Sequence, residues 1–478
     1  MSGGADGKRH TVLLAILVGA FSLVLTNSGL NLLLPSFVEL YGISTSLGGW
    51  IISLYILAMT VTMPLTSIVV DRLGRKRTYI FGLTLYGVFS IVGGIGCQYV
   101  EIVLLVRLMH GIAAGLMIPL SLVLLFDYYG QEVRGRVVGI WGMLLTIAPA
   151  IGPTLGGLII QYGKLQHLFW INVPFALISL LLCSKHIKAY EPARRKTIDG
   201  QGIALMLGSV TALSLGIQLI SIPTVPGWLP GLLLPVGAAA LIRFIRRENK
   251  KKEPLIRYGL LRRNPVFTMS LVISTVQDAV MFGVIFILPL IFQEVLHLSP
   301  SVSGSMFIPT AICTSLFVWI GGSLVDKGRS LKFIAYGIVC IVVSVAAFAF
   351  VPQGVSLVLI IALMALRGIG NGLSDMTITA IGLNALREDD LHEGSALSNT
   401  IQRLVSSFAV MLLAGYYDIR WQMTVNAGET AEYAKWLALK EECIALGGIL
   451  LLTLPLVALI NRKRLNNVVG NRQYSADS

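Results

Sequence analysis

The feature that most limits this chain is the spacing of its charge. Apolar runs of about 20 residues or more follow one another from end to end, separated by short segments that hold most of the lysine and arginine. A run of that length spans a bilayer as a helix, which satisfies its own backbone amides where no water can. Hydrophobic residues make up 55% of the chain and charged residues 13%, against roughly 25% charged in soluble domains. The fold class expected is therefore an all-α polytopic membrane protein rather than a string of soluble domains.

Fourteen spans are expected, at 11–38, 50–70, 78–97, 101–126, 137–160, 167–184, 201–221, 226–245, 266–292, 301–325, 331–351, 356–384, 395–417 and 442–461. The first follows Lys8 and Arg9, as a signal peptide would. It is too long for one and lacks a small-residue cleavage pattern, so it is expected to be retained. An even number of spans puts both termini on one side. If that side is the cytoplasm, thirty of the 37 lysines and arginines lie on inner segments. Four (Lys164, Arg420, Lys435, Lys440) lie outside and three (Arg107, Arg367, Arg403) lie within spans. This asymmetry predicts cytoplasmic termini in a bacterial plasma membrane. It also accounts for the net charge of +13 with no nucleic-acid partner. The five cysteines have no metal-ligand or redox spacing and are expected to pack.

An internal repeat divides the chain. Val70-Asp71-Arg72-Leu73-Gly74-Arg75 closes the second span, and Val325-Asp326-Lys327-Gly328-Arg329 closes the tenth, with Val325 255 positions after Val70. Gly111-Ile112-Ala113-Ala114-Gly115 in the fourth span matches Gly368-Ile369-Gly370-Asn371-Gly372 in the twelfth, 257 positions on. The domains expected are an N-terminal six-helix bundle (1–190), linkers with two inserted helices (191–262) and a C-terminal six-helix bundle (263–478). The inserted pair is nearly free of ionisable residues in its core and reads as a peripheral connector. Paired bundles of this kind place a binding site near the midplane between the halves.

Few polar groups interrupt the spans, and these are the candidate functional residues. Arg107 in the fourth span either snorkels to the outer surface or faces a cavity; intramembrane ionisable groups favour the cavity. His110, one turn on, is placed with it or is a hydrogen-bonded packing residue. Asp278 lies near the middle of the ninth span and Asp375 in the inner half of the twelfth. An acid whose surroundings change between two conformations can take up a proton on one side and release it on the other. Asp278 and Asp375 are accordingly assigned to proton coupling. Arg367, about two turns before Asp375, offers that acid a structural partner as an alternative. Arg403 snorkels or pairs helices. Asn27 and Asn31 share a face of the first span. With His110, Gln277, Phe282, Phe286, Arg367 and Asn371 they are the expected substrate-cavity residues.

Two further groups are assigned to gating. At the inner ends, Asp71, Arg72, Gly74 and Arg75, with Arg134 and Arg136 across the same face and Asp326 at the repeat position, are expected to form a carboxylate–arginine latch. In the fifth span Pro149, Gly152, Pro153, Gly156 and Gly157 would weaken a helix in water. In a membrane they form either a close-packing seam or a hinge.

At these residues the chain resembles the major facilitator superfamily over its whole length, and within it the fourteen-span drug:proton antiporter branch. Val70 to Lys76 is similar to the family's loop motif between spans two and three. Arg107 to Gly115 is similar to its fourth-span motif, whose arginine is linked to proton coupling. Gly152-Pro153-Thr154-Leu155-Gly156-Gly157 is similar to the fifth-span motif associated with antiporters, which favours export over uptake. The chain departs from the pattern at Ser67, where glycine is usual, and at His110, where glutamine is common. It also departs at Thr26 or Asn27, where the branch often carries a first-span aspartate. That last difference moves the coupling burden onto Asp278, Asp375 and Arg107.

The resemblance implies the major facilitator fold and a proton-coupled antiporter exporting amphipathic drugs or related small molecules by alternating access. The alternative is a same-fold exporter of a dedicated substrate such as a lipid, an amino acid or another metabolite. A membrane enzyme is disfavoured because the six histidines form no cluster and no nucleophile motif stands out; a channel is disfavoured because no filter-like segment repeats. No cofactor or metal is expected beyond protons as the coupling ion. The expected partners are a small-molecule substrate and the lipid bilayer, with the chain acting as a monomer.

Overall fold

The computed structural model describes residues 3–129, 134–188, 199–220, 225–251, 258–326, 330–352, 354–387 and 390–460, and among them every regular element is a helix. In chain order these are α1 (Gly3–Leu32), α2 (Leu34–Tyr41), α3 (Thr45–Leu73), α4 (Arg75–Gly96), α5 (Val100–Tyr128) and α6 (Arg134–Tyr162). Next come α7 (His167–Trp170), α8 (Asn172–His186), α9 (Gly200–Ile220), α10 (Trp228–Glu248), α11 (Gly259–Arg263) and α12 (Pro265–Leu290). A π-helical turn (Ile291–Val295) continues α12. The chain ends in α13 (Pro300–Ser305), α14 (Phe307–Asp326), α15 (Ser330–Phe348), α16 (Leu357–Leu383), α17 (Leu391–Asn426) and α18 (Ala431–Leu451).

Thirteen stretches among the described residues are long and apolar enough to cross a membrane, so the protein is a multi-pass membrane protein. They fall on every expected span except the fifth. That span, 137–160, lies within α6, a helix of 29 residues, many of whose side chains lie outside the described residues.

Local chemistry sets the helix ends. The Ser44 hydroxyl accepts from the Leu47 amide at 3.2 Å and opens α3. Asn264 accepts from the Phe267 amide at 3.1 Å and opens α12, with Pro265 in its first turn, where the missing N–H costs nothing. Gly74 closes α3 and opens α4 at a φ of 80°, a left-handed conformation that a side chain resists.

The last two helices differ from the sequence expectation, which left 418–441 as a loop. α17 is 36 residues long, about 54 Å at 1.5 Å per residue, and so exceeds a hydrocarbon core of about 30 Å. It forms a projecting hairpin with α18, closed by Arg420 on Glu441 (2.7 Å) and capped by Thr430. These extensions are polar and helical together, so a search for apolar length stops short of them.

The helices pack in two sets. In the first, α1 lies on α6 and α8, and α5 lies on α3 and α4; in the second, α16 lies on α14, α15 and α12, and α17 lies on α12 and α18. The sequence repeat reappears as repeated backbone contact. A Cβ on Gly111 would strike the Tyr55 carbonyl, and one on Gly115 the Met59 carbonyl. In the second set, Gly368 meets the Thr310 carbonyl and Gly372 the Thr314 carbonyl in the same way. Large apolar side chains such as Phe81, Ile95, Leu181, Tyr336 and Val343 stay exposed, as lipid-facing positions should.

The inserted helices are not both peripheral. α10 is mostly exposed, but α9 packs on α3 and α17, one helix from each set. Met206 and Val210 of α9 share a cluster with Leu57 and Val61 of α3 and Leu397 and Met411 of α17.

Candidate functional site

In the first set the site is built on Arg107. α5 directs the guanidinium between α1 and α3, where Nη2 donates to Asn27 Oδ1 at 2.7 Å and Nε donates to the Ile51 carbonyl. The guanidinium carbon lies 4.5 Å from the centroid of the Tyr55 ring. Arg107 is 0% exposed, which decides against snorkelling. Its partners are an amide, a carbonyl and a ring; among the described residues no carboxylate pairs with it.

His110 belongs to a different network. Its Nε2 lies 3.1 Å from the Ser90 hydroxyl, and its ring 4.8 Å from Tyr86. The Tyr86 hydroxyl is 2.9 Å from that of Ser22, and Thr26 donates to Asn172 Oδ1. This network ties α1, α4, α5 and α8 together inside the first set and shares no hydrogen bond with Arg107 among the described residues. The shared face of Asn27 and Asn31 also divides: Asn27 serves Arg107, whereas Asn31 is 2% exposed and its Oδ1 has no hydrogen-bond partner among the described residues.

In the second set Asp278 is 7% exposed on α12. Ser406 of α17 donates to its Oδ2 at 3.2 Å, and Nη1 of Arg403 lies 3.4 Å from the same oxygen. Arg403 also stacks over Phe282, at 5.2 Å from the ring centroid. No cation lies close to Asp278 in sequence; the fold brings one from another helix. Asp375 on α16 is within electrostatic range of both Asp278 and Arg403. Gln277 donates to the Ser374 hydroxyl at 2.7 Å, and its Oε1 has no hydrogen-bond partner among the described residues.

The alternative pairing of Arg367 with Asp375 does not form. Eight residues at 3.6 per turn leave the two about 80° apart around the helix. Arg367 lies 5.9 Å from the Phe307 ring centroid, and its Nε and Nη1 have no hydrogen-bond partner among the described residues. Asn371 is half-buried. Phe286 is fully buried against Gly49 of α3, so it packs between the sets.

The two polar clusters meet across α3 and α17. Tyr55 lies within electrostatic range of Arg403 as well as Arg107. The Ser407 hydroxyl donates to the Ser53 carbonyl at 3.3 Å.

Towards one end the sets are clasped. Asp418 of α17 accepts the Thr45 amide at 3.2 Å and the Ser46 amide at 2.6 Å, capping α3. Gln293 donates to the Leu32 carbonyl at 3.1 Å, and Thr154 to the Gly304 carbonyl at 3.3 Å. The fifth-span glycines divide between two neighbours. Gly152 and Gly156 press on Leu25 and Gly29 of α1 within the first set, whereas Gly157 presses on Pro300 of α13. The Pro153 carbonyl meets Gly304 of α13, and the side chain of Pro149 lies outside the described residues.

At the opposite end Arg75 pairs with Asp127 of α5, a contact within the first set rather than between sets. Asp127 lies one residue past the expected end of the fourth span; its position beside the basic turn was the available signal. Asp71 is half-buried and Arg72 exposed, and the side chains of Arg134, Arg136 and Asp326 lie outside the described residues. The sequence search also passed over Tyr55, Ser406 and Asp418, which become informative only once helices are paired.

The Major Facilitator Superfamily profile matches residues 16–410. The "Uncharacterized MFS-type transporter YcnB" of Bacillus subtilis is 27% identical, covering 88% of this chain and 89% of its own. The "Multidrug transporter protein MdtP" of the same organism is 25% identical, covering 87% and 77%. The "Lincomycin resistance protein LmrB" of Listeria monocytogenes is 23% identical, covering 84% and 85%. Among solved structures, a bacterial homologue of the human lysosomal transporter Spinster, in an inward-facing and unoccupied conformation, superposes with a TM-score of 0.69. It is 13% identical and covers 96% of this chain and 98% of its own. The helical fold, the repeated packing and the match over most of its length place the chain in the Major Facilitator Superfamily.

Proposed function

We propose that this transporter is a proton-coupled antiporter exporting amphipathic drugs or related small molecules by alternating access. The observation that carries the reading is the Asp278–Arg403 pair, 3.4 Å apart, with Asp375 in range, beside the seam where α17 meets α3. A carboxyl that gains or loses a cation partner as helices move binds or releases a proton. Arg107, buried without a carboxylate on the facing set, keeps a fixed positive charge near the path. The names of MdtP and LmrB support drugs as the substrate class.

In this reading two six-helix bundles carry the site, α6 is a fourteenth span, and α9 and α10 are the inserted pair. The lysine and arginine asymmetry puts the Arg75 end in the cytoplasm and the Asp418 end outside. The clasp then closes the outer face, and the conformation is inward-facing. The chain acts as a monomer in a bacterial plasma membrane, without a cofactor or nucleic acid.

Purified protein in liposomes, loaded with a panel of amphipathic dyes and given an imposed pH gradient, tests this. Dye movement against the proton gradient is expected, with dissipation of the gradient. Dye movement indifferent to the gradient would overturn coupling. A dedicated substrate is the second reading, favoured by Asn27 standing engaged with Arg107 where a first-span acid would attract cations. Gradient-driven movement of a lipid or amino acid, but of no dye, would establish it.

A further inference from the structure

A cluster of acids lies where α17, α18 and the π-helical turn meet, away from Asp278. Three of its four carboxyls are partnered. Glu294 pairs with Lys435 at 2.9 Å and accepts from the Tyr417 hydroxyl at 3.3 Å. Glu441 pairs with Arg420 at 2.7 Å and accepts from Tyr416 at 2.5 Å. Asp418 holds the Thr45 and Ser46 amides of the other set. Glu442 is 1% exposed, and among the described residues neither of its carboxyl oxygens has a hydrogen-bond partner. Asp418 lies within its electrostatic range.

Burying a carboxylate with no donor is so unfavourable that such a group carries a proton instead. Among the described residues the surroundings supply no cation to Glu442. Lys435 and Arg420 are taken by Glu294 and Glu441, and Lys440 lies over the Phe350 and Trp436 rings. Cys443 and Glu441 flank it on α18, and Tyr416, Tyr417 and Asp418 of α17 lie within its electrostatic range. Of the other helices against α18, α12 carries only Asp278, and α15 only Lys332, Tyr336 and Cys340.

We propose that Glu442 is a proton-binding site at the outer end, and that its occupancy closes the outer face together with the Asp418 clasp on α3. Closing takes one proton from external water onto a Glu442 oxygen as the clasp forms. Opening strips the Thr45 and Ser46 amides from Asp418, admits water and returns that proton to the outside. The site is independent of which substrate is carried; it rests on the alternating access and orientation proposed above.

The test is the distance between spin labels on non-canonical residues at Leu40 and Glu429, both exposed, in lipid nanodiscs across a pH series. Both faces share one pH there, so orientation does not enter. In the wild type the short-distance population should grow as pH falls, by up to about tenfold per unit. Glu442→Gln should hold it high and remove the rise as pH falls, leaving only the dependence that the Asp278 pair contributes. If that variant fails to assemble, Glu442→Met, neutral and suited to a buried site, carries the same expectation. Asp418→Asn, which weakens a charge-assisted clasp, should lower the population about tenfold while keeping the pH slope. A wild-type slope in the Glu442 variants, or no pH response in the wild type, overturns the proposal.

Discussion

Gly152 and Gly157 stand five residues apart in one helix, yet alanine at each should have opposite consequences. A Cβ on Gly157 would stand 2.8 Å from Ser301 Cα, and closer to the Pro300 carbonyl oxygen, both across the seam. Ordinary contact begins at 3.4 Å, so the backbones must part by about 0.6 Å at Ser301 Cα and by about 1.1 Å at the Pro300 carbonyl oxygen. A Cβ on Gly152 would stand 2.6 Å from the Leu25 carbonyl and 2.9 Å from the Gly29 amide, both on α1 of its own set. Overpacking of this kind costs about 1–3 kcal/mol. For Gly157→Ala, separating the sets relieves the strain, so the penalty falls on the clasped state alone and shifts its population by about 5- to 150-fold. For Gly152→Ala no rigid movement of the sets relieves the clash, so the penalty falls on the fold. Spin-label distances across the clasped end and thermal unfolding, measured on both variants, separate the two. Gly157→Ala should lengthen the distance and leave Tm nearly unchanged; Gly152→Ala should lower Tm and leave the distance alone. Equal losses of Tm with no change in distance would refute the reasoning.

Three other variants test the remaining groups. Arg107→Lys keeps the charge but loses the planar fork that serves Asn27 and Ile51 together, so gradient-driven transport should fall sharply in liposomes. Arg107→Ala should additionally lower stability by about 1–3 kcal/mol, seen in thermal unfolding, because buried acceptors lose their donor. Asp127→Asn should change stability by less than about 1 kcal/mol, since Arg75 is 41% exposed. Its effect should appear instead in the transport rate.

The positions of the apolar spans and the internal repeat were legible because both follow from hydropathy and small-residue spacing. The same glycines that matched at Gly111 and Gly368 turned out to meet matching carbonyls at Tyr55 and Thr310. What stayed hidden depended on rotation and pairing. Arg367 and Asp375 were close in sequence but faced apart, whereas Arg403 reached Asp278 from a helix that no local pattern joins to α12. His110 was within a turn of Arg107 and still faced the α4 side. The α17–α18 hairpin was missed because its charged residues, Arg420 and Glu441 among them, end a hydropathy signal without ending a helix. The seat of α9 across α3 and α17 had no signal in its own composition at all.

The most direct test of proton coupling is Asp278→Asn in liposomes, with gradient-driven export and substrate counterflow measured on the same preparation. Asparagine keeps an acceptor for Ser406 but cannot change charge, and Arg403, its side chain 28% exposed, stays hydrated without its partner. The account predicts that export driven by a pH gradient is lost while counterflow without a gradient persists. Export with wild-type dependence on the gradient would contradict it.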